Sequence, residues 1–207
     1  MITTTGAPAP DAGPARIGPN AIIRVAEALR AHLGDAVTAD LFRRAGLERY
    51  LDTMPGHMVD EREVIALHQL LRPVLGDDRA RAVSREAGVR TCDYLLANRI
   101  PRPAQFVLRL LPPALASRVL LRSIGGHSWT FAGSGQFRFE SGYPVRLIIA
   151  DCPLCRGVTA EAPVCDYYAA TFEHLYRTLV SPRATVVETE CEAMGAPACV
   201  FEIRWKR

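Results

Sequence analysis

The sequence predicts an α+β fold: a run of helices, then a mostly antiparallel sheet interrupted by one helix. Three observations predict it. Apolar residues recur at helical spacing through residues 20–124, the period changes to two beyond Gly125-Gly126, and one more helical run at 163–180 is flanked by alternating segments.

Residues 1–19 are rich in Pro, Ala, Gly and Thr without periodicity and read as a disordered tail. Asn20 is a plausible N-cap, after which Ile22, Ile23, Ala26, Leu29 and Leu33 mark one helix that ends at Gly34. A second helix is expected over Asp35–Ala45, stopping at Gly46. Asp60 starts the next, with Glu63 completing a capping-box-like pair, Val59 placed to staple onto Val64, and Val64, Leu67 and Leu71 as its buried stripe. Residues 77–98 read as a further helix, followed by Pro-punctuated helical segments through Ile124. Trp129 and Phe131, then Phe137 and Phe139, alternate with polar residues around Gly133-Ser134-Gly135, which predicts a hairpin. Val145–Ile149 has the density of a central strand, residues 163–180 return to helical spacing, and Thr185–Cys191 with Cys199–Trp205 supply the last two strands. The expected organisation is a tail (1–19), a helical region (20–124) and a ligand-binding α+β unit (125–207) continuous with it.

The 207 residues suffice for one sizeable core, and the 49% hydrophobic and 23% charged fractions are ordinary for a globular protein. A net charge of +3 without a dense basic run gives no argument for nucleic acid. Lys206 is the sole lysine, so basic charge is nearly all arginine, a bias that GC-rich coding also produces. Residues 1–19 lack the apolar core of a signal peptide, and no stretch approaches the roughly 18 apolar residues that span a bilayer. Six cysteines in such a chain point to reduced thiols and metal in the cytoplasm rather than to disulfides.

The densest chemistry lies in Cys165-x22-Glu188-x2-Cys191-x7-Cys199. Gly195 and Pro197 mark a reversal between Cys191 and Cys199, and Cys165 opens a helix whose positive end favours thiolate. Three sulfurs and one oxygen suit zinc, and four protein ligands leave no open position, so such an ion is structural. Residue types and spacing alone leave this reading level with three unrelated buried cysteines and a solvent-facing glutamate.

The ending Glu188-x-x-Cys191-x-x-Met194-Gly195-x3-Cys199-x-Phe201 resembles the 4-vinyl-reductase domain family, small-molecule-binding domains of bacteriochlorophyll synthesis and of phenol-sensing activators. The resemblance implies a structural zinc on Cys165, Glu188, Cys191 and Cys199. It extends to Arg16-Ile17-Gly18-Pro19-Asn20-Ala21-Ile22, Gly125-Gly126-His127-Ser128-Trp129-Thr130-Phe131 and Cys152-Pro153-Leu154-Cys155-Arg156-Gly157, which are similar to a purple-bacterial bacteriochlorophyll-biosynthesis family assigned to reduction of the 8-vinyl group of a divinyl precursor. It implies a magnesium tetrapyrrole ligand of the divinyl protochlorophyllide or chlorophyllide type. By analogy with the sensors, it also implies a homodimer formed through the N-terminal helices.

Reduction of a vinyl group requires electrons from a cofactor. Gly133-Ser134-Gly135 is a turn rather than a phosphate cradle, and zinc on three cysteines leaves Cys92, Cys152 and Cys155, one short of an iron–sulfur ligand set. The expectation is therefore a carrier or accessory factor of the 8-vinyl step without catalytic residues, working with other enzymes of the pathway, in the cytoplasm or peripheral to the photosynthetic membrane. The reductase itself and a one-domain sensor of an aromatic molecule are the alternatives. Cys152-x2-Cys155 reads as a redox pair, a secondary metal site that competes for Cys165, or two loop thiols. The candidate tetrapyrrole contacts are His127 and Trp129, on one side of a regular strand, Phe131, Phe137 and Phe139 as ring faces, and Arg138 and Arg146 for carboxylates. Tyr143, Arg122, His57, His68 and His174 are weaker candidates.

Overall fold

The computed structural model describes residues 15–205. The chain opens with a two-residue strand, β1 (Arg16–Ile17), inside the segment expected to be tail; residues 1–14 lie outside the described residues. Helices α1 (Asn20–Arg44) and α2 (Arg49–Asp52) follow, then β2 (Val59–Asp60), which pairs antiparallel with β1. Helices α3 (Glu61–Leu75), α4 (Asp77–Asn98), α5 (Arg102–Leu110), α6 (Pro113–Gly126) and the single turn α7 (Trp129–Ala132) complete the helical part. Strands β3 (Gln136–Glu140) and β4 (Val145–Ala150), helix α8 (Asp166–Leu179), and strands β5 (Thr185–Glu190) and β6 (Cys199–Arg204) form the rest. The sheet order is β3-β4-β6-β5, all neighbours antiparallel, so the fold is α+β with one inserted helix and β4 is internal.

Gly34 does not separate two helices. It takes φ 81° and ψ 176° inside α1 and kinks it, because glycine alone enters that region without strain, and the Thr38 hydroxyl donates to its carbonyl at 2.9 Å. Asn20 does not cap α1; Pro19 holds that position and its carbonyl accepts from Ile22 and Ile23. Asp60 does cap α3, accepting from the Arg62 N–H at 2.9 Å. Glu63 leaves the box and accepts from Arg49 and the Tyr50 hydroxyl, each at 2.6 Å.

The largest correction falls at residues 127–132. The expected Trp129–Phe131 strand is helical: Phe131 and Ala132 donate to the Ser128 carbonyl, and Thr130 to that of His127. The hairpin is formed one segment later, where Gln136–Glu140 pairs with Arg146–Ala150. Alternation over four residues resembles one turn of an amphipathic helix, and the short run could not distinguish them.

The helical layer and the sheet meet through α8, which packs along α4. The crossing is close because Gly88 lies under α8: a Cβ there would strike the Tyr167 carbonyl oxygen and come within 2.9 Å of the Ala170 Cβ. Thr171 donates to the Gly88 carbonyl at 3.1 Å, and Thr91 shares a 2.8 Å hydrogen bond with the Tyr167 hydroxyl, so polar groups at this interface are matched.

Register fixes which residues share a face of the sheet. Phe137 pairs with Ile149, Phe139 with Leu147, Leu147 with Phe201 and Glu188 with Phe201, all on the face that packs into the main core. Arg138 pairs with Ile148, and Arg146 with Glu202, on the opposite face, where Ile148, Ala198 and Val200 form a small separate cluster.

Candidate metal centre and aromatic cluster

Four segments deliver thiols to one buried point. Cys152 and Cys155 occupy the loop after β4, Cys165 is the residue on which α8 begins, Cys191 follows β5, and Cys199 opens β6. The reversal between the last two is the 3-10 turn Glu192–Met194, closed by Gly195 at φ 86° as its Gly and Pro suggested. The loops are tied to each other: the Cys152 N–H donates to Glu192 at 2.9 Å and the Ala160 N–H to the Ala193 carbonyl at 2.8 Å. All five thiols are free and at most 2% exposed.

Donor atoms of two overlapping sets lie within 4.8 Å of one another: Cys165, Glu188, Cys191 and Cys199, and Cys152, Cys155, Cys165 and Cys199. Sulfur separations are 3.7 Å for Cys152–Cys165, 3.4 Å for Cys155–Cys199, 3.7 Å for Cys165–Cys199 and 3.9 Å for Cys191–Cys199. A tetrahedral ion with metal–sulfur bonds of about 2.3 Å sets sulfurs roughly 3.8 Å apart, whereas disulfides need about 2.05 Å. The donors therefore fit single thiophilic ions. Glu188 supplies a second observation. One of its oxygens accepts from the Cys165 N–H at 2.8 Å, while Oε1 is buried without a hydrogen bond, an arrangement that a cation would satisfy.

Burial pushes the Glu188 carboxyl up to about 9, and the neighbouring Cys191 charge adds to the shift. Among the thiols, mutual hydrogen bonding, led by the contact between Cys152 and its partners, raises Cys165 and lowers Cys155. Crowded thiols cannot all ionise beside one another without a cation; a bound dication removes that conflict.

The aromatic candidates form a second constellation. Phe131 meets Phe137, Tyr168 and Phe172 edge-on at centroid distances of 5.2, 6.1 and 6.0 Å, and Phe201 closes the group against Phe172 at 5.5 Å. Phe139 stands 6.4 Å from Phe137. These rings join α7, α8 and the inner face of the sheet, and the Tyr168 hydroxyl donates to the Phe131 carbonyl at 2.5 Å. Trp129 and His127 lie outside the cluster. Trp129 is 58% exposed, and the His127 ring is exposed with Nδ1 at 2.8 Å from the Ser123 carbonyl.

Arg138 and Arg146 are not on the aromatic side. Both lie on the outer face, and Arg146 is ringed by Glu140, Glu190 and Glu202 at 3.3–3.7 Å. Period-two alternation from Phe137 already contained this separation, since Arg138 is one residue removed. His174 is engaged with Asp93 at 2.9 Å, and His68 with the Ala21 carbonyl at 3.1 Å. No local pattern along the chain announced the network that steadies the Cys152–Cys155 loop. Buried Glu61 at the start of α3 accepts from the Ser134 N–H and hydroxyl, each at 2.7 Å, and from Arg156 at 2.9 Å, while Arg156 donates to the Asp151 carbonyl.

The fold and the cysteine-bearing hairpin define a protein of the vinyl-4-reductase domain class: the model of that domain matches residues 145–205, from β4 through the last cysteine. The bacteriochlorophyll synthase 23 kDa chain of Cereibacter sphaeroides is 45% identical over 197 residues, covering 92% of this chain and 93% of that protein. The chain of the same description from Rhodobacter capsulatus is 42% identical over 200 residues, covering 97% and 92%. This chain belongs to the family of bacteriochlorophyll synthase 23 kDa chains, vinyl-4-reductase-domain proteins of bacteriochlorophyll biosynthesis. Among solved structures, an H-NOX protein from work on heme distortion superimposes with TM-score 0.58 at 14% identity, over 92% of this chain and 96% of that one. An H-NOX protein from S. oneidensis gives 0.55 at 12% identity, over 92% and 100%. At such identity the likeness is one of fold. Among the described residues no helix is long and apolar enough to cross a membrane.

Proposed function

We propose that this chain binds a magnesium tetrapyrrole intermediate, of the divinyl protochlorophyllide or chlorophyllide type, as a carrier or accessory factor of 8-vinyl reduction. The observation that carries this reading is the ring cluster of Phe131, Phe137, Phe139, Tyr168 and Phe172 between the helical layer and the sheet. A flat macrocycle requires apolar ring faces of this kind. Two findings support it from outside the geometry: the relatives named for bacteriochlorophyll synthesis, and an architecture shared with proteins described by their heme.

In this reading α7 is the movable wall. A single helical turn between Gly126 and Gly133 yields more readily than the long helices, and its displacement lifts Phe131 from the cluster. Trp129 and His127 then stand at the mouth, where the ring Nε2 of His127 is placed to approach a metal or a ring carbonyl. Arg138 and Arg146 play no part in this pocket, because the sheet lies between them and the rings. The ion on Cys165, Glu188, Cys191 and Cys199 is a structural zinc, and it fixes the start of α8 and hence the position of Tyr168.

An absorbance titration of purified protein with divinyl protochlorophyllide, with and without NADPH, tests the proposal. A saturable red shift with the vinyl group intact is the expected outcome, weakened at least tenfold by Phe131→Asp. Loss of the vinyl group with NADPH would make the chain the reductase. No spectral change in either case would overturn the binding role.

A further inference from the structure

We infer that the thiol cluster is a site for two thiophilic divalent ions, with Cys165 and Cys199 bridging them. Cys152 and Cys155 complete the first ion and Glu188 and Cys191 the second. The inference extends the single structural zinc proposed above and rests on that reading of the cluster.

Counting donors leads there. Two tetrahedral ions that share two ligands need six donor atoms, and the two overlapping sets together hold five sulfurs and one carboxylate, with Cys165 and Cys199 common to both. The common pair is 3.7 Å apart, a single tetrahedral edge, with Cys152 at 3.7 Å from Cys165 and Cys155 and Cys191 at 3.4 and 3.9 Å from Cys199. One ion on either set strands buried donors. On the set with Glu188 it leaves Cys152 and Cys155 as thiols without purpose in a loop that Glu61, Ser134 and Arg156 hold in place. On the four-cysteine set it leaves Glu188 Oε1 buried and without a hydrogen bond. Two ions satisfy every donor. Charge agrees: five thiolates and a carboxylate against two dications leave two negative charges, the same as one zinc in four thiolates.

Native mass spectrometry of zinc-reconstituted protein tests this, with cadmium NMR of the cadmium-substituted form as a readout independent of activity. Two bound ions, and one in the Cys152→Ser/Cys155→Ser variant, are expected, together with two cadmium signals split by coupling through a shared sulfur. One ion in both proteins would overturn the inference and leave the single zinc proposed above. One ion that is lost in the double variant, or no ion at all, would overturn both. Two ions in the double variant would remove Cys152 and Cys155 from the site. Should that variant fail to fold, the number and coupling of wild-type cadmium signals decides.

Helices α5 and α6 carry an independent feature. Residues 94–139 contain six arginines and not one Asp or Glu. Within this stretch, Gln105 and Leu108 turn α5 inward, Gln105 donating to the Leu96 and Ile100 carbonyls, and opposite them Phe106, Val107 and Leu110 face solvent, at 65%, 53% and 69% exposure. Leu115 and Val119 extend the apolar surface onto α6, and exposed Arg102, Arg118 and Arg122 border it. We propose that this hairpin docks on an anionic lipid bilayer. Apolar residues outermost with arginines at their margin is the arrangement of a helix lying at an interface. Uniform positive charge opposes pairing with a second copy of the same face and favours anionic headgroups.

Co-sedimentation of the full chain with phosphatidylcholine vesicles, with and without a phosphatidylglycerol fraction of about a third, tests it. Binding to the anionic vesicles is expected to fall at least tenfold in Phe106→Ser/Leu110→Ser and to weaken in high salt. No binding, or equal binding by that variant, would overturn the proposal. A concentration-dependent dimer abolished by the same substitutions would assign the face to a second copy instead.

Discussion

The thiol cluster and the α5–α6 hairpin resolve the same problem in opposite directions. In the cluster, polar and ionisable donors from four segments are drawn out of water, where only cations can balance them. In the hairpin, apolar side chains remain in water, held there by an inward face that is satisfied by Gln105 and Leu108. The first region is held in place by what it binds; the second is already folded and presents a surface. Substitution should therefore destroy structure at one and leave it untouched at the other.

Cys199→Ser should have the largest effect, because both ligand sets use this sulfur. Structural zinc contributes about 10–16 kcal/mol in small domains, more than a typical folding free energy of about 5–15 kcal/mol. The variant is expected to aggregate or to lose its cooperative thermal transition in circular dichroism; a normal melting curve would show that the cluster does not hold the fold. Gly88→Ala tests whether the α4–α8 contact is as unyielding. The new methyl group would meet backbone, so a loss of about 3 kcal/mol in urea unfolding is expected with metal content unchanged.

A pH series is expected to show a smaller effect at His68. Desolvation, only partly offset by the hydrogen bond to Ala21, lowers this ring to about 4 from an ordinary 6.5. The unfolded chain thus takes up a proton first, so this contribution is complete above pH 6.5 and is lost as pH falls toward 4. About 2 kcal/mol is expected, less than the full shift implies because the ring keeps some solvent contact. Urea unfolding of wild type and His68→Gln between pH 7 and 4 should converge by that amount; parallel curves would contradict it. Leu110→Ser should change stability least, within about 0.5 kcal/mol, and a drop of several degrees in Tm would mean that the hairpin packs against something.

The long helices, the internal strand Val145–Ala150 and the cysteine-bearing hairpin were all legible, because periodicity over many residues and a Gly-Pro reversal are local signals. The turn at Trp129–Ala132 was not, since four residues carry too little period to separate strand from helix. Strand alternation was available to place Phe137 and Arg138 on opposite faces, yet proximity in sequence suggested one pocket for both. The union of Cys152 and Cys155 with the C-terminal thiols was legible only as a possible competition. Their approach depends on the pairing of β4 with β6, a long-range contact that spacing along the chain does not encode.

Cys165 and the aromatic rings share one rigid rod. The first turn of α8 starts at the cysteine, Tyr168 follows at one turn and Phe172 at two. Any oxidant that strips the thiols of their ions would tilt this rod at its anchored end, and the rings would feel it within about 10 Å, since a helix rises 1.5 Å per residue. For a protein that handles a light-absorbing macrocycle, the colour of the bound pigment would then double as a gauge of the redox state of its cysteines.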